Sequence, residues 1–196
     1  DDENIKKISL QGFEGKVITF ACKTPADYYA NHIRFGNHGM EFDVIHKNIR
    51  YPVFVPGYGE HQVYNALAAL AAVKSIGLSL PEAIKRLKSF TNMDRHLEVT
   101  KGIQGSTIID DTWTINPTSI EAALKVMDEI SKGKKKIVLL GNINRLGAYE
   151  KEFHQKMGSL VAQRDIHTLI TLGDKAEDIA KQAKKDQFKG NIHIFK

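Results

Sequence analysis

Lys136-Ile137-Val138-Leu139-Leu140, then Glu150 to Val161, then His167-Thr168-Leu169-Ile170-Thr171-Leu172 form the stretch that decides the fold. Two almost unbroken apolar runs of strand length enclose a segment of helical texture. Half-buried strands alternate apolar and polar residues, whereas strands covered on both faces read as continuous apolar runs. The same alternation extends outward in both directions. Thr107-Ile108-Ile109-Asp110 and a helix from Pro117 to Ile130 come before; a helix from Ala176 to Lys184 and the strand-like Asn191-Ile192-His193-Ile194-Phe195-Lys196 come after. Strands joined by helices imply a parallel sheet, so this part is predicted to be a doubly wound α/β domain.

Upstream the texture differs. Val17 to Ala21, Tyr28 to Phe35, Met40 to His46 and Ile49 to Val55 are β-rich, separated by Gly36-Asn37-His38-Gly39 and Lys47-Asn48. Gaps this short predict antiparallel hairpins rather than crossovers. From His61 to Val73 the chain is alanine-rich and apolar nearly all round, the mark of a buried helix that Gly77 ends. A second helix follows, with Ser79 as cap, Pro81 in its first turn, and Ala83, Ile84, Leu87 and Phe90 on its apolar side. The boundary between the two textures falls between Phe90 and Gly105.

The 196 residues are 42% hydrophobic and 26% charged, the balance of a globular chain rather than a disordered one. Cys22, the single cysteine, cannot form an internal disulfide, which fits a reducing compartment. No apolar run approaches the ~18 residues that would cross a bilayer, and no membrane role is expected. The acidic opening Asp1-Asp2-Glu3 and the strand-like close read as cut ends, so a fragment is expected. The net charge of +5 resides largely in Lys132 to Lys136 and Lys181 to Lys189, at helix ends and linkers. Cations are favoured at helix C-termini. Phe188 is the one aromatic residue among them, short of the row that a nucleic-acid stacking platform would require, so no nucleic-acid partner is expected.

Ligands in a doubly wound sheet gather beyond the carboxyl ends of its strands. Two loops qualify here: Asp110-Asp111-Thr112-Trp113-Thr114-Ile115-Asn116-Pro117-Thr118-Ser119 and Gly141-Asn142-Ile143-Asn144-Arg145-Leu146-Gly147. Adjacent acids point to opposite sides of a strand, so one carboxylate can face the crevice and accept hydrogen bonds from sugar hydroxyls. Equally, both can cap turns. Asn116-Pro117 reads as an N-cap with a first-turn proline, and Thr118-x-x-Glu121 also fits a capping box. Gly57-Tyr58-Gly59-Glu60-His61-Gln62 lacks the last glycine of a dinucleotide fingerprint, and no phosphate loop of the G-x-x-x-x-G-K-[ST] type is present. The eight histidines show no zinc-ligand spacing, so no metal site is expected in this chain. His61, just ahead of the apolar helix, is the histidine to watch.

Gly59 to Ala69, Asp94-Arg95, Asp110 to Ser119, and Val138 to Asn142 with Leu146-Gly147 and His154, in that order, resemble the Mur ligase family. The resemblance implies an α/β chain in two parts. Residues 1–100 would be the latter part of the family's central ATPase domain, with antiparallel strands and two helices. Residues 101–196 would be most of its Rossmann-like doubly wound C-terminal domain. The phosphate loop, the ligands of a magnesium ion and a carbamylated lysine would then lie upstream of Asp1.

The implied activity is an ATP-driven amide ligation through an acyl phosphate in peptidoglycan precursor synthesis, in the cytoplasm and by a monomer. Its substrates would be ATP, a UDP-muramoyl-peptide and an amino acid or dipeptide amine, D-alanyl-D-alanine fitting best. By the same resemblance Arg95 is catalytic, stabilising charge on the transferred phosphoryl group. Asn65 contacts adenine, Asp111 binds ribose, and His61, Trp113 and Asn116 complete the nucleotide-binding set, closure of the two domains finishing the site. Gln62 replaces the family's usual Asn; Trp113, Thr114 and Ile115 depart from its Tyr-Asn-Ala pattern; Asn142 and Arg145 stand where acids are common. These departures keep two other functions open, a ligase for a different acid or amine and a nucleotide-binding module without chemistry.

Overall fold

β1 (Phe20–Ala21), β2 (Tyr28–Gly36), β3 (Gly39–His46) and β4 (Ile49–Pro56) form one sheet in sequence order, in a computed structural model that describes residues 1–113 and 115–196. The three long strands are antiparallel and turn where the sequence signals. Lys47 and Asn48 both take positive φ (50° and 62°), the requirement of a two-residue hairpin loop whose twist matches its strands. Register places Met40, Phe42 and Val44 of β3 beside Val55, Val53 and Tyr51 of β4 on one face. That face carries the core, with Val63, Ala66, Leu67 and Leu70 of α1 (Glu60–Ser75) and Leu80 and Ile84 of α2 (Leu80–Leu87) packed against it.

Two expectations for this part need correction. The run from Val17 to Ala21 yields only the two-residue β1, and it pairs parallel to β2, Phe20 opposite Tyr28. Asp27 explains the short strand: its carboxylate accepts hydrogen bonds from the Thr19 N–H (2.8 Å) and hydroxyl (2.9 Å), a side chain taking the place of a ladder partner. Those bonds hold its pKa below the usual carboxylate value. Nor is α1 buried all round. Gln62, Val63, Ala66, Leu67, Leu70 and Ala71 are covered, while His61, Asn65, Ala69 and Ala72 lie on an exposed stripe.

Asp1–Met93 and Asp94–Lys196 are separate compact units. In the second, β5 (Glu98–Lys101) and β6 (Thr107–Asp110) make an antiparallel hairpin, followed by α3 (Pro117–Ile130), β7 (Ile137–Gly141), α4 (Glu150–Ala162), β8 (Thr168–Leu172), α5 (Glu177–Lys185) and β9 (Asn191–Phe195). β7, β8 and β9 are parallel and adjacent in that order, the α/β layer that the alternation predicts. α4 and α5 pack together through Met157, Val161, Ile179 and Ala183 over Val138 and Leu169. Their backbones touch: a methyl group on Gly158 would run into the carbonyl oxygen of Ile179.

β6, expected in the parallel sheet, instead pairs with β5, a strand the sequence reading did not anticipate. Between β6 and β7 lies a largely apolar cavity of about 420 Å³, lined by Ile109, Ile120, Leu124, Met127, Ile137 and Leu139. The apolar runs are accordingly half covered. Val138 and Leu169 are buried, whereas Ile137 and Leu139 on the opposite face are 64% and 61% exposed. Among the described residues no helix is long and apolar enough to cross a membrane.

Candidate active site

The hairpin of β5 and β6 brings two distant segments side by side at its open end. Glu98 pairs with Asp110, so residues 95–97 lie against residues 111–113. Trp113 donates its backbone N–H to the Arg95 carbonyl (3.2 Å), and Leu97 donates its N–H to Asp111 Oδ1 (3.1 Å). Arg95 donates its own N–H to Glu98 Oε2 (3.0 Å). Arg95 and Leu97 take φ of 60° and 50°. Left-handed conformations at non-glycine residues cost about 1–3 kcal/mol each and persist where the surroundings dictate them. Here three hydrogen bonds and the buried Leu97 side chain do so.

The adjacent acids separate in role, as their alternation on a strand implies. Asp110 accepts from the Thr112 N–H (3.0 Å) and hydroxyl (2.7 Å), a local turn. Burial raises the pKa of Asp111, against the opposing pull of the Leu97 N–H and His96. Arg95 is exposed, its guanidinium carbon 4.9 Å from the centroid of the Trp113 ring, and Trp113 is 57% exposed. Asn116 is the N-cap of α3: its Oδ1 accepts the Ser119 N–H (2.8 Å) and Ser119 Oγ accepts the Asn116 N–H (3.1 Å). The reciprocal partner is thus Ser119, where the sequence also offered Thr118-x-x-Glu121. Of the loop positions that depart from the family pattern, Thr114 lies outside the described residues.

The loop after β7 is held from beneath by a residue whose task no sequence signal disclosed. His154 is fully buried; its Nε2 accepts the Ile143 N–H (3.0 Å) and its Nδ1 donates to the Glu150 carbonyl (2.6 Å). Those partners fix the neutral Nδ1–H tautomer. Asn142 Oδ1 accepts from the N–H groups of Lys175 (3.0 Å) and Ala176 (2.9 Å), tying this loop to the one after β8. Arg145 is exposed with φ of 63°.

In the first unit, Asn65 and His61 are one turn apart on the exposed stripe of α1. Gly57 and Gly59 lead into that helix with φ of 87° and 109°, which side chains rarely tolerate. Gln62 is buried and donates to Asn92 Oδ1 (3.1 Å). Neighbouring protein atoms desolvate the His61 ring and lower its pKa, favouring neutral imidazole. The sequence reading also missed a clamped carboxylate on the outer face of the sheet. Asp43 receives Arg50 (2.9 Å) and His32 (2.8 Å), which hold its pKa down, at a bulge where His32 has φ of 49°. Thus Arg95, Asp111 and Trp113 are brought together within one unit, Asn116 caps the next helix of that unit, and Asn65 and His61 share a helix face in the other.

Known proteins match both units. The Mur ligase middle domain profile matches residues 1–73, and the profile described as Mur ligase, glutamate ligase domain, matches residues 95–196. The UDP-N-acetylmuramoyl-tripeptide–D-alanyl-D-alanine ligase of Bacillus subtilis strain 168 is 31% identical over 177 residues, covering 90% of this chain and 38% of the relative. The UDP-N-acetylmuramate–L-alanine ligase of Caldicellulosiruptor saccharolyticus is 33% identical over 138 residues, 68% of this chain and 30% of the relative. A crystal structure of MurF from Acinetobacter baumannii superimposes with a TM-score of 0.79 at 26% identity, over 91% of this chain and 37% of that one. The chain therefore spans less than two fifths of the length of each. With one family profile on the first unit, a second across the whole of the other from Arg95 onward, and a shared fold, this chain belongs to the Mur ligase family.

Proposed function

We propose that the chain is part of an ATP-dependent carboxylate–amine ligase that works through an acyl phosphate. In that reaction a substrate carboxylate oxygen attacks the γ-phosphorus of ATP and ADP leaves. The amine nitrogen then adds to the acyl carbon, and the tetrahedral intermediate expels inorganic phosphate to leave an amide. The observation that carries the reading is the bracket at the end of the β5–β6 hairpin, where a strained backbone fixes Arg95 beside Asp111 beyond a strand's carboxyl end. A planar fork of donors on a fixed backbone suits the charge that develops on a transferred phosphoryl group. Asp111 would accept from the ribose hydroxyls, as a carboxylate drawn partly out of water can. Asn65, exposed on α1, would pair with adenine, since an amide donates and accepts in one plane. His61, Trp113 and Asn116 would complete the nucleotide surroundings.

Residues 1–100 would serve as the latter part of the central ATPase domain and residues 101–196 as most of the C-terminal domain. Among the described residues no group of three or more His, Cys, Asp or Glu could hold a metal ion, so these residues do not by themselves make a magnesium site.

For the substrates, the relatives' names support a UDP-muramoyl acid as carboxylate donor. D-Alanyl-D-alanine is the proposed amine because the relative named for it matches 90% of this chain, against 68% for the one named for L-alanine. A cytoplasmic monomer making a cell-wall precursor follows from that reading. ADP release by the full-length protein tests it, with UDP-muramoyl-tripeptide plus D-alanyl-D-alanine against UDP-muramate plus L-alanine. Turnover with the first pair is expected; turnover only with the second would replace the substrate, and none with any muramoyl acid would overturn the ligase. The 196-residue chain alone should bind ATP weakly and turn nothing over, as calorimetry and the same assay would report.

A further inference from the structure

We infer that Trp113 is a positioning residue for Arg95, an inference that rests on the ligase reading. The guanidinium carbon lies 4.9 Å from the indole centroid, within cation–π range, and the two residues are also joined through the backbone, Trp113 N–H to Arg95 carbonyl. The His96 ring lies 5.8 Å from the same indole, tilted by 38°. The side chains of Arg95 and His96 are thus gathered at one aromatic surface, at a turn where Arg95 takes φ of 60°.

The chemistry of that partner matters. A carboxylate would hold an arginine in place but would also neutralise it and occupy its donors. An indole face attracts the cation from above the ring, leaving the N–H groups free for an anion. Arginine suits this place better than lysine, because a planar guanidinium can lie along a ring while its remaining donors form a fixed fork. Trp113 therefore aims Arg95 without reducing the charge that it brings to phosphate.

The chain has a single tryptophan, so its fluorescence reports the surroundings of this one ring. In the 196-residue chain, Arg95→Ala should shift the emission and raise quenching by acrylamide; unchanged quenching would overturn the proposal. In the full-length enzyme, Trp113→Ala should lower kcat about two- to fivefold, the loss expected of one exposed cation–π contact. Trp113→Phe should restore most of the rate, and Trp113→Ala should add nothing to Arg95→Ala. An equal loss with Arg95 already removed, or turnover indifferent to Trp113→Ala, would overturn the proposal while leaving the ligase reading in place. An unaltered enzyme without turnover would remove that reading and this assignment together, the quenching comparison still deciding the contact.

Discussion

The loops that follow β6 and β7 leave successive strands of one unit, yet they are built in opposite ways. The loop after β7 spends its polar groups on itself: Ile143 on the buried His154, and Asn142 on the backbone after β8. The bracket of residues 95–97 and 111–113 is fixed by its backbone, while the side chains of Arg95 and Trp113 stay exposed. The first is a frame whose loss should be felt as instability. The second presents groups outward, and its loss should be felt as chemistry.

Substitutions that unfold one loop and silence the other would sharpen this contrast. His154→Ala should destabilise the chain most, by about 3–5 kcal/mol, since it opens a cavity and strands the Ile143 N–H in the interior. Thermal or urea unfolding would measure it, and a change within about 0.5 kcal/mol would break the comparison. Arg95→Ala should do the reverse, costing the full-length enzyme about a hundredfold in kcat, equivalent to about 2.7 kcal/mol, with little change in unfolding. Asn142→Ala should fall between, at about 1–2 kcal/mol of stability, by removing the acceptor of two backbone N–H groups.

The smallest effect concerns Asp111. Burial raises its pKa in the folded chain, so the native state binds that proton more tightly than the unfolded one. The resulting stability is complete below the ordinary aspartate range and is lost as pH rises through the folded-state value. Asp111→Asn removes this titration, so the variant's stability relative to the parent should be best near neutrality and fall away as pH is lowered into and below the ordinary aspartate range. Parallel denaturation series at several pH values would show a constant difference if the carboxylate were not desolvated.

Much of the frame was legible in the chain itself. α3 runs from Pro117 to Ile130 as read, because Asn116 and Pro117 are local signals that need no tertiary information. The Lys47-Asn48 turn is of the same kind. β5 escaped notice because Glu98-Val99-Thr100-Lys101 holds one apolar residue, too few to show a period. Periodicity also names a strand without naming its neighbour, so it points β6 to the parallel sheet although β6 pairs with β5. His154 belongs to a family-like motif, but its work depends on a backbone group eleven residues away. Motif order carried the family, and composition alone would have left Asp110 and Asp111 as turn caps, which Asp110 in fact is.

Because α4 and α5 meet backbone to backbone at Gly158, they form a slab rather than two independent rods. The segments suspended from its leading edge, residues 142–147 and 173–176, inherit that stiffness through His154 and Asn142. Widening the slab by a single methyl group at position 158 should therefore loosen both segments at once, a loss of order in loops that the substituted residue does not belong to.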